Sequence, residues 1–196
     1  MDKLTARASV VEQFAGGKPF PVTEPRLQVS ELPLHSIIRV QGDAKDPAFQ
    51  AALRTALAME LPASERVSAM CEARLAWAGP NEWLYFCSLS AEEESLGILK
   101  LVLADQFATV TRISDSRVSF IVTGREAANF LSKGCGIDLY PTSFEPGKVV
   151  TTRFAGLPAM LMRRSEDVYV VYFDVGSAGY VLDWMLDAVD EFRAYI

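Results

Sequence analysis

One histidine, His35, stands in a chain of 196 residues. That scarcity excludes a histidine-rich metal centre, because a zinc site would need several Cys, Asp and Glu side chains to converge instead. It also leaves little for a Ser-His-Asp arrangement, and Gly176-Ser177-Ala178-Gly179 is not a GxSxG elbow. His35 opens the apolar run Ile37-Ile38-Arg39-Val40 with no nucleophile motif beside it, so it is read as structural or surface. Cysteine is scarce as well. Cys71, Cys87 and Cys135 are odd in number and widely spaced, with no CxxC pair, the pattern of free thiols in a reducing compartment. Cations are outnumbered, 19 Lys and Arg against 25 Asp and Glu, which argues against a nucleic-acid footprint. No apolar run approaches the roughly 18 residues of a membrane span. No apolar segment follows Met1-Asp2-Lys3, so a cytoplasmic location is expected.

Half of the residues are hydrophobic, enough for one domain of two lobes or two small domains. Residues 1–24 read as an extended N-terminal arm, because AGGKPFPVTEP carries glycines and prolines that disfavour helix and central strand. A disordered tail is one reading; the aromatics Phe14 and Phe20 favour the other, an arm that docks on a partner. Residues 25–113 read as a ferredoxin-like lobe. A strand at 35–41 leads into a helix capped by Asp46 with Pro47 at its first position. Strands at 73–78 and 82–87 meet at Gly79-Pro80-Asn81. Ser90 and Glu93 have the spacing of a capping box, and Glu92, Glu93 and Glu94 favour the positive end of the next helix. Leu96, Leu99, Val102 and Leu103 form that helix's buried stripe, and a strand follows at 106–113. The order βαββαβ is that of a ferredoxin-like unit.

Residues 114–196 read as a second α+β lobe, centred on 112–141. VSFIV at 118–122 is a strand, Thr123 and Glu126 have capping-box spacing, and Ala127, Phe130 and Leu131 mark a short helix. Gly134 is expected to end it in a left-handed conformation. Strands follow near 148–154, 157–164 and 167–173. A last helix begins at Ser177 with the stripe Ala178, Val181, Leu182, Met185, Val189 and Phe192. The fold class is thus α+β: two ferredoxin-like or split βαβ lobes with antiparallel sheets.

No phosphate-binding or dinucleotide fingerprint is present: Gly134-Cys135-Gly136 follows a helix and lacks a third glycine, and Gly16-Gly17-Lys18 lacks Walker spacing. Arg153, Arg163 and Arg164 are candidates to receive an anion, against a solvent or interface role. Asp115 and Arg117 read as a surface turn pair. Trp77, Trp83 and Tyr85 cluster at the 79–81 hairpin, as core or as a stacking surface.

Three segments carry a resemblance: GPNEWL at 79–84, SDSR at 114–117, and FLSKGCGIDLYPTSFEPGKVVTTRFAGLPAMLMR at 130–163. They resemble the gamma-subunit family of bacterial heterotetrameric sarcosine oxidases, over roughly residues 70–192. The resemblance implies a fold similar to the folate-binding domains of the glycine-cleavage T-protein. It implies an accessory, non-catalytic subunit of a flavin-dependent complex with alpha, beta and delta subunits. That complex oxidises sarcosine to glycine, hydrogen peroxide and a one-carbon unit taken up by tetrahydrofolate as co-substrate. FAD, FMN, NAD and zinc are expected on the other subunits, with no cofactor in this chain. The catalytic aspartate motif of the T-protein has no counterpart here, so no folate-binding or catalytic residue is named. Phe14, Phe20, Trp83, Tyr85, Lys133, Cys135 and Tyr140 stand as interface candidates. The alternative is a stand-alone folate-binding module of the T-protein-like class.

Overall fold

A computed structural model describes residues 9–193. In chain order the elements are α1 (Glu12–Ala15), β1 (Val22–Glu24), β2 (Leu27–Glu31), β3 (Ser36–Gln41), α2 (Pro47–Leu57), β4 (Val67–Met70), β5 (Ala73–Gly79), β6 (Glu82–Cys87), α3 (Glu92–Val102), β7 (Thr109–Arg112), β8 (Arg117–Thr123), α4 (Ala127–Ser132), β9 (Val149–Phe154), β10 (Leu157–Ser165), β11 (Val168–Asp174) and α5 (Ala178–Val189). The strands form two sheets, β4-β5-β6-β3-β7 and β1-β2-β8-β11-β10-β9. The α+β class with antiparallel sheets is therefore as expected.

The five-stranded unit comprises His35–Ser114 and Gly147–Val150. Its strands β5-β6-β3-β7 stand in the ferredoxin-like order, with β4 added at the β5 edge. Helix α2 starts where Asp46 accepts a hydrogen bond from the Ala48 amide at 2.9 Å, with Pro47 at a position whose missing N–H costs nothing. It stops at Leu57, where Ala58 turns left-handed. Phe49, Leu53 and Leu57 of α2, with Leu99 and Leu103, close over Ile38, Val40, Leu75, Trp83 and Tyr85. Phe49 and Trp83 pack with ring centroids 5.6 Å apart. At the β5–β6 hairpin the left-handed residue is Asn81, not Gly79.

The six-stranded unit comprises residues 9–34, 115–146 and 151–193. The expected boundary at 25 is thereby corrected: β1 and β2 join this sheet, β2 pairing with β8 through Val29 and Val122. The arm is also not simply extended. Its described part holds α1 and β1, and the carboxylate of Glu31 accepts hydrogen bonds from the Val10 amide at 2.7 Å and from Ser9 Oγ. Residues 1–8 of the expected arm lie outside the described residues. The core is an aromatic chain: Phe120 against Phe173, Phe173 against Phe154, Phe154 against Trp184, and Trp184 against Phe130.

Neither expected capping box forms. Thr123 ends β8 and its hydroxyl faces Gln28, while Glu126 takes Arg26 as ion partner at 2.6 Å and Asn129 as donor at 2.7 Å. Ser90 meets Ser88, and Glu93 pairs with Arg112. Both helices instead begin after a tight turn that leaves these side chains outside capping reach. Gly134 does follow α4, yet without a left-handed backbone. A Cβ there would lie 2.5 Å from the Phe154 ring, so close packing explains the glycine.

Candidate functional site

A cleft of about 410 Å³ lies within the five-stranded unit. It opens between the end of α2 and the β5–β6 hairpin, and Gln50, Glu60, Trp77, Asn81 and Trp83 line it. Its polar groups are largely engaged. Asn81 accepts from the Ala44 amide at 3.0 Å, Gln50 donates to the Ala44 carbonyl at 2.7 Å, and Glu60 lies 3.5 Å from Arg54. The exception is the indole N–H of Trp83, which is buried and has no hydrogen-bond partner. The cleft offers flat apolar walls, one buried donor and one exposed carboxylate. Its lining contains no histidine, lysine or arginine.

The sequence candidates do not converge. Trp83 and Tyr85 are buried in the core, the first of the two roles read for the hairpin aromatics, which corrects only their place among the interface candidates. Burial, with the neighbouring Cys87 next in effect, raises the Tyr85 phenol above its ordinary pKa. Phe14 and Phe20 dock within their own unit. Phe14 lies over Gly179, where a Cβ would come within 3.0 Å of its ring, and Phe20 meets Phe120 edge-on at 6.2 Å. Lys133 donates to the Ala188 carbonyl at 3.1 Å, pairs with Glu191 at 3.0 Å and sits over the Phe192 ring, so it fixes the end of α5. The Cys135 thiol contacts the Leu131 carbonyl at 3.5 Å, and burial raises its pKa. A thiol held neutral is a poor nucleophile. Tyr140 alone of the seven is a largely exposed ring.

Arg163 is not an anion receptor. It is buried, and its guanidinium donates to the carbonyls of Phe144 at 2.6 Å, Pro141 at 3.4 Å and Glu166 at 3.0 Å, while lying over Tyr169. It therefore pins the loop between α4 and β9 from the inside. Burial raises the Tyr169 phenol pKa, and the adjacent guanidinium opposes that shift. Arg153 donates to the Gly156 carbonyl at 2.6 Å, and Arg164 reaches the Tyr172 hydroxyl. Among the described residues no group of three His, Cys, Asp or Glu side chains could hold a metal, and no helix is long and apolar enough to cross a membrane.

The sequence profile of the sarcosine oxidase, gamma subunit family matches residues 41–191. The chain belongs to this family. A sarcosine oxidase subunit gamma from Corynebacterium sp. (strain U-96) is 31% identical over 148 residues, 74% of this chain and 70% of that protein. One from Arthrobacter sp. is 30% identical over 156 residues, 79% of this chain and 74% of that protein. Among solved structures, a chain of the heterotetrameric sarcosine oxidase from Corynebacterium sp. U-96 in complex with pyrrole 2-carboxylate superposes with a TM-score of 0.87. It is 24% identical and is matched over 98% of its length by 97% of this chain. The glycine cleavage system aminomethyltransferase T from Bartonella henselae shares the fold at 14% identity and a TM-score of 0.62. There, 95% of this chain covers 50% of that one.

Within the gamma-subunit frame, the segment 130–163 has a structural explanation. It runs from α4 through the Arg163-pinned loop to β10, with Gly134 and Phe154 in contact. What residue reading missed lies elsewhere. Ile98, Leu101 and Phe107 are exposed on and just beyond α3. The signal was available: Leu101 is out of phase with the stripe of Leu96, Leu99 and Leu103.

Proposed function

We propose that the chain is an accessory, non-catalytic subunit of a heterotetrameric, flavin-dependent sarcosine oxidase. In this reading alpha, beta and delta subunits carry FAD, FMN, NAD and zinc. The complex oxidises sarcosine to glycine and hydrogen peroxide and passes a one-carbon unit to tetrahydrofolate. The observation that carries it is family membership over residues 41–191, together with a subunit-length match to a chain of the Corynebacterium complex. The chemistry of the described side chains agrees. The one histidine packs beside Phe86, and the one partly buried thiol is held neutral.

The alternative, a folate-binding module, needs cations for the carboxylates of the glutamate tail and a donor–acceptor set for the pterin. The cleft supplies Glu60 and the Trp83 N–H, but its lining contains no Lys or Arg. This cleft therefore fits a folate poorly.

The test is co-expression of the tagged chain with its genomic neighbours. The expected result is a yellow complex of stable stoichiometry that oxidises sarcosine. A chain that emerges alone and colourless, or one that binds tetrahydrofolate saturably by itself, overturns the reading.

A further inference from the structure

Helix α3 buries Leu99 and, just past its end, Leu103, with Leu96 and Val102 half-buried against the same core. Its opposite side should be polar in a free-standing protein. It is not. At 100° per residue Leu101 points directly away from that core, and it is 77% exposed. Ile98 flanks it at 39%, and Phe107, five residues past the helix, is fully exposed. Gly97 completes the face. It sits in the helix interior without a left-handed backbone, and a Cβ there would meet nothing within 4 Å. Glycine is the poorest ordinary helix former. Here no contact with the described residues, and no turn, accounts for it. A glycine on an apolar helix face lets another backbone approach closely.

Resting on the accessory-subunit reading, we infer that Gly97, Ile98, Leu101 and Phe107 form the surface by which this chain docks on a helix of a companion subunit. The chemistry of the partner follows from the rim. Glu94 precedes the apolar residues by one turn and Asp105 stands between Leu101 and Phe107, both exposed. Glu93, beside Glu94, is already tied to Arg112. The partner surface is therefore apolar at its centre, with Lys or Arg opposite Glu94 and Asp105. Self-association through this face would set these carboxylates against their own copies, in a chain of net charge −6, so a second copy is the poorer occupant. Lys100 lies to one side, nearer Glu93 on the helical projection.

The test uses the full chain co-expressed with its companion subunits. Leu101→Gln with Phe107→Gln should cut recovery of the complex at least ten-fold, while the free chain melts within about 2 °C of the wild type, as exposed substitutions do. Gly97→Gln separates docking from folding by sign. It should raise the melting temperature of the free chain by about 1–3 °C through helix propensity, yet weaken assembly. If wild-type chain assembles and all three substitutions leave assembly intact, the docking surface is wrong and the subunit reading stands. If wild-type chain never assembles, both fail. A free chain that is dimeric, and that the double variant renders monomeric, assigns the face to self-association and overturns the inference.

Discussion

Arg163 shows how a charged residue can be structural. Its cation is buried among backbone carbonyls, and the stacked Tyr169 ring covers it. Removing the donors takes the 2.6 Å charge-assisted hydrogen bond from the buried Phe144 carbonyl, and losing such a bond costs about 1–3 kcal/mol, while the Glu166 carbonyl sits in an exposed turn. Arg163→Met should therefore destabilise the chain by about 1–3 kcal/mol, read as a fall of about 2–12 °C in Tm. Arg163→Lys keeps the charge but cannot fork to several carbonyls, so it should fall between the two. Equal melting of Met and wild-type chains would remove the pinning role. The raised pKa values act on stability in one direction. Cys135, Tyr85 and Tyr169 are all held neutral by burial, above their ordinary 9.0 and 10.0. The unfolded chain loses these protons first, so the native state binds more protons at alkaline pH. Their contribution is intact below pH 9 and is lost as pH climbs through the raised values. Urea midpoints should thus fall as pH rises above the ordinary values of 9.0 and 10.0, with no matching drop from about pH 7 to 8.5. A drop already at pH 7.5 would point to other groups.

At the scale of elements, local chemistry was readable where the sequence names both partners and their order. Asp46-Pro47 is such a case: the cap forms, and Asp46→Ala should cost about 1 kcal/mol, lowering Tm by about 2–4 °C. The two capping boxes had the right spacing, but the helices start later, at N-caps Ala91 and Glu126, which leaves both glutamates to pair elsewhere. Glu126 and Glu93 are each claimed by an arginine from another element, Arg26 and Arg112. Spacing alone does not reveal such partners. Gly134 was legible as a helix end, but for the wrong cause, since Phe154 comes from a strand some twenty residues later. The two causes predict different outcomes. A residue in an ordinary helical turn tolerates alanine, whereas a Cβ 2.5 Å from a buried ring should cost about 1–3 kcal/mol. Gly134→Ala melting at or above the wild type would restore the simple helix-end explanation. In the same way Trp83 and Tyr85 looked like anchors because aromatics mark interfaces and cores alike; only the partners across β3, β5 and α2 decide which.

Over the whole molecule the two sheets turn out to share one plan. Reading β4-β5-β6-β3-β7 beside β9-β10-β11-β8-β2 matches the strands one to one, with α2 and α3 answering to α4 and α5. The second lobe looked irregular in sequence because its last strand is missing from its own end of the chain. That strand is β2, supplied from residues 27–31 ahead of the first lobe. A pattern read in chain order could show the elements of the six-stranded unit but not this closure, since Leu27-Gln28-Val29-Ser30-Glu31 is too short to stand out among prolines. The consequence is physical. Without β2, strand β8 would become an open edge carrying Val118, Phe120 and Val122, a template for aggregation. A chain starting at residue 35 should therefore be insoluble or melt without cooperativity, even though every residue of the five-stranded unit is retained. Adding a peptide of residues 18–34 in trans, which restores Phe20 against Phe120 as well as the strand, should recover solubility and a single melting transition. A truncated chain that folds cooperatively by itself would show that β8 is protected by something other than β2.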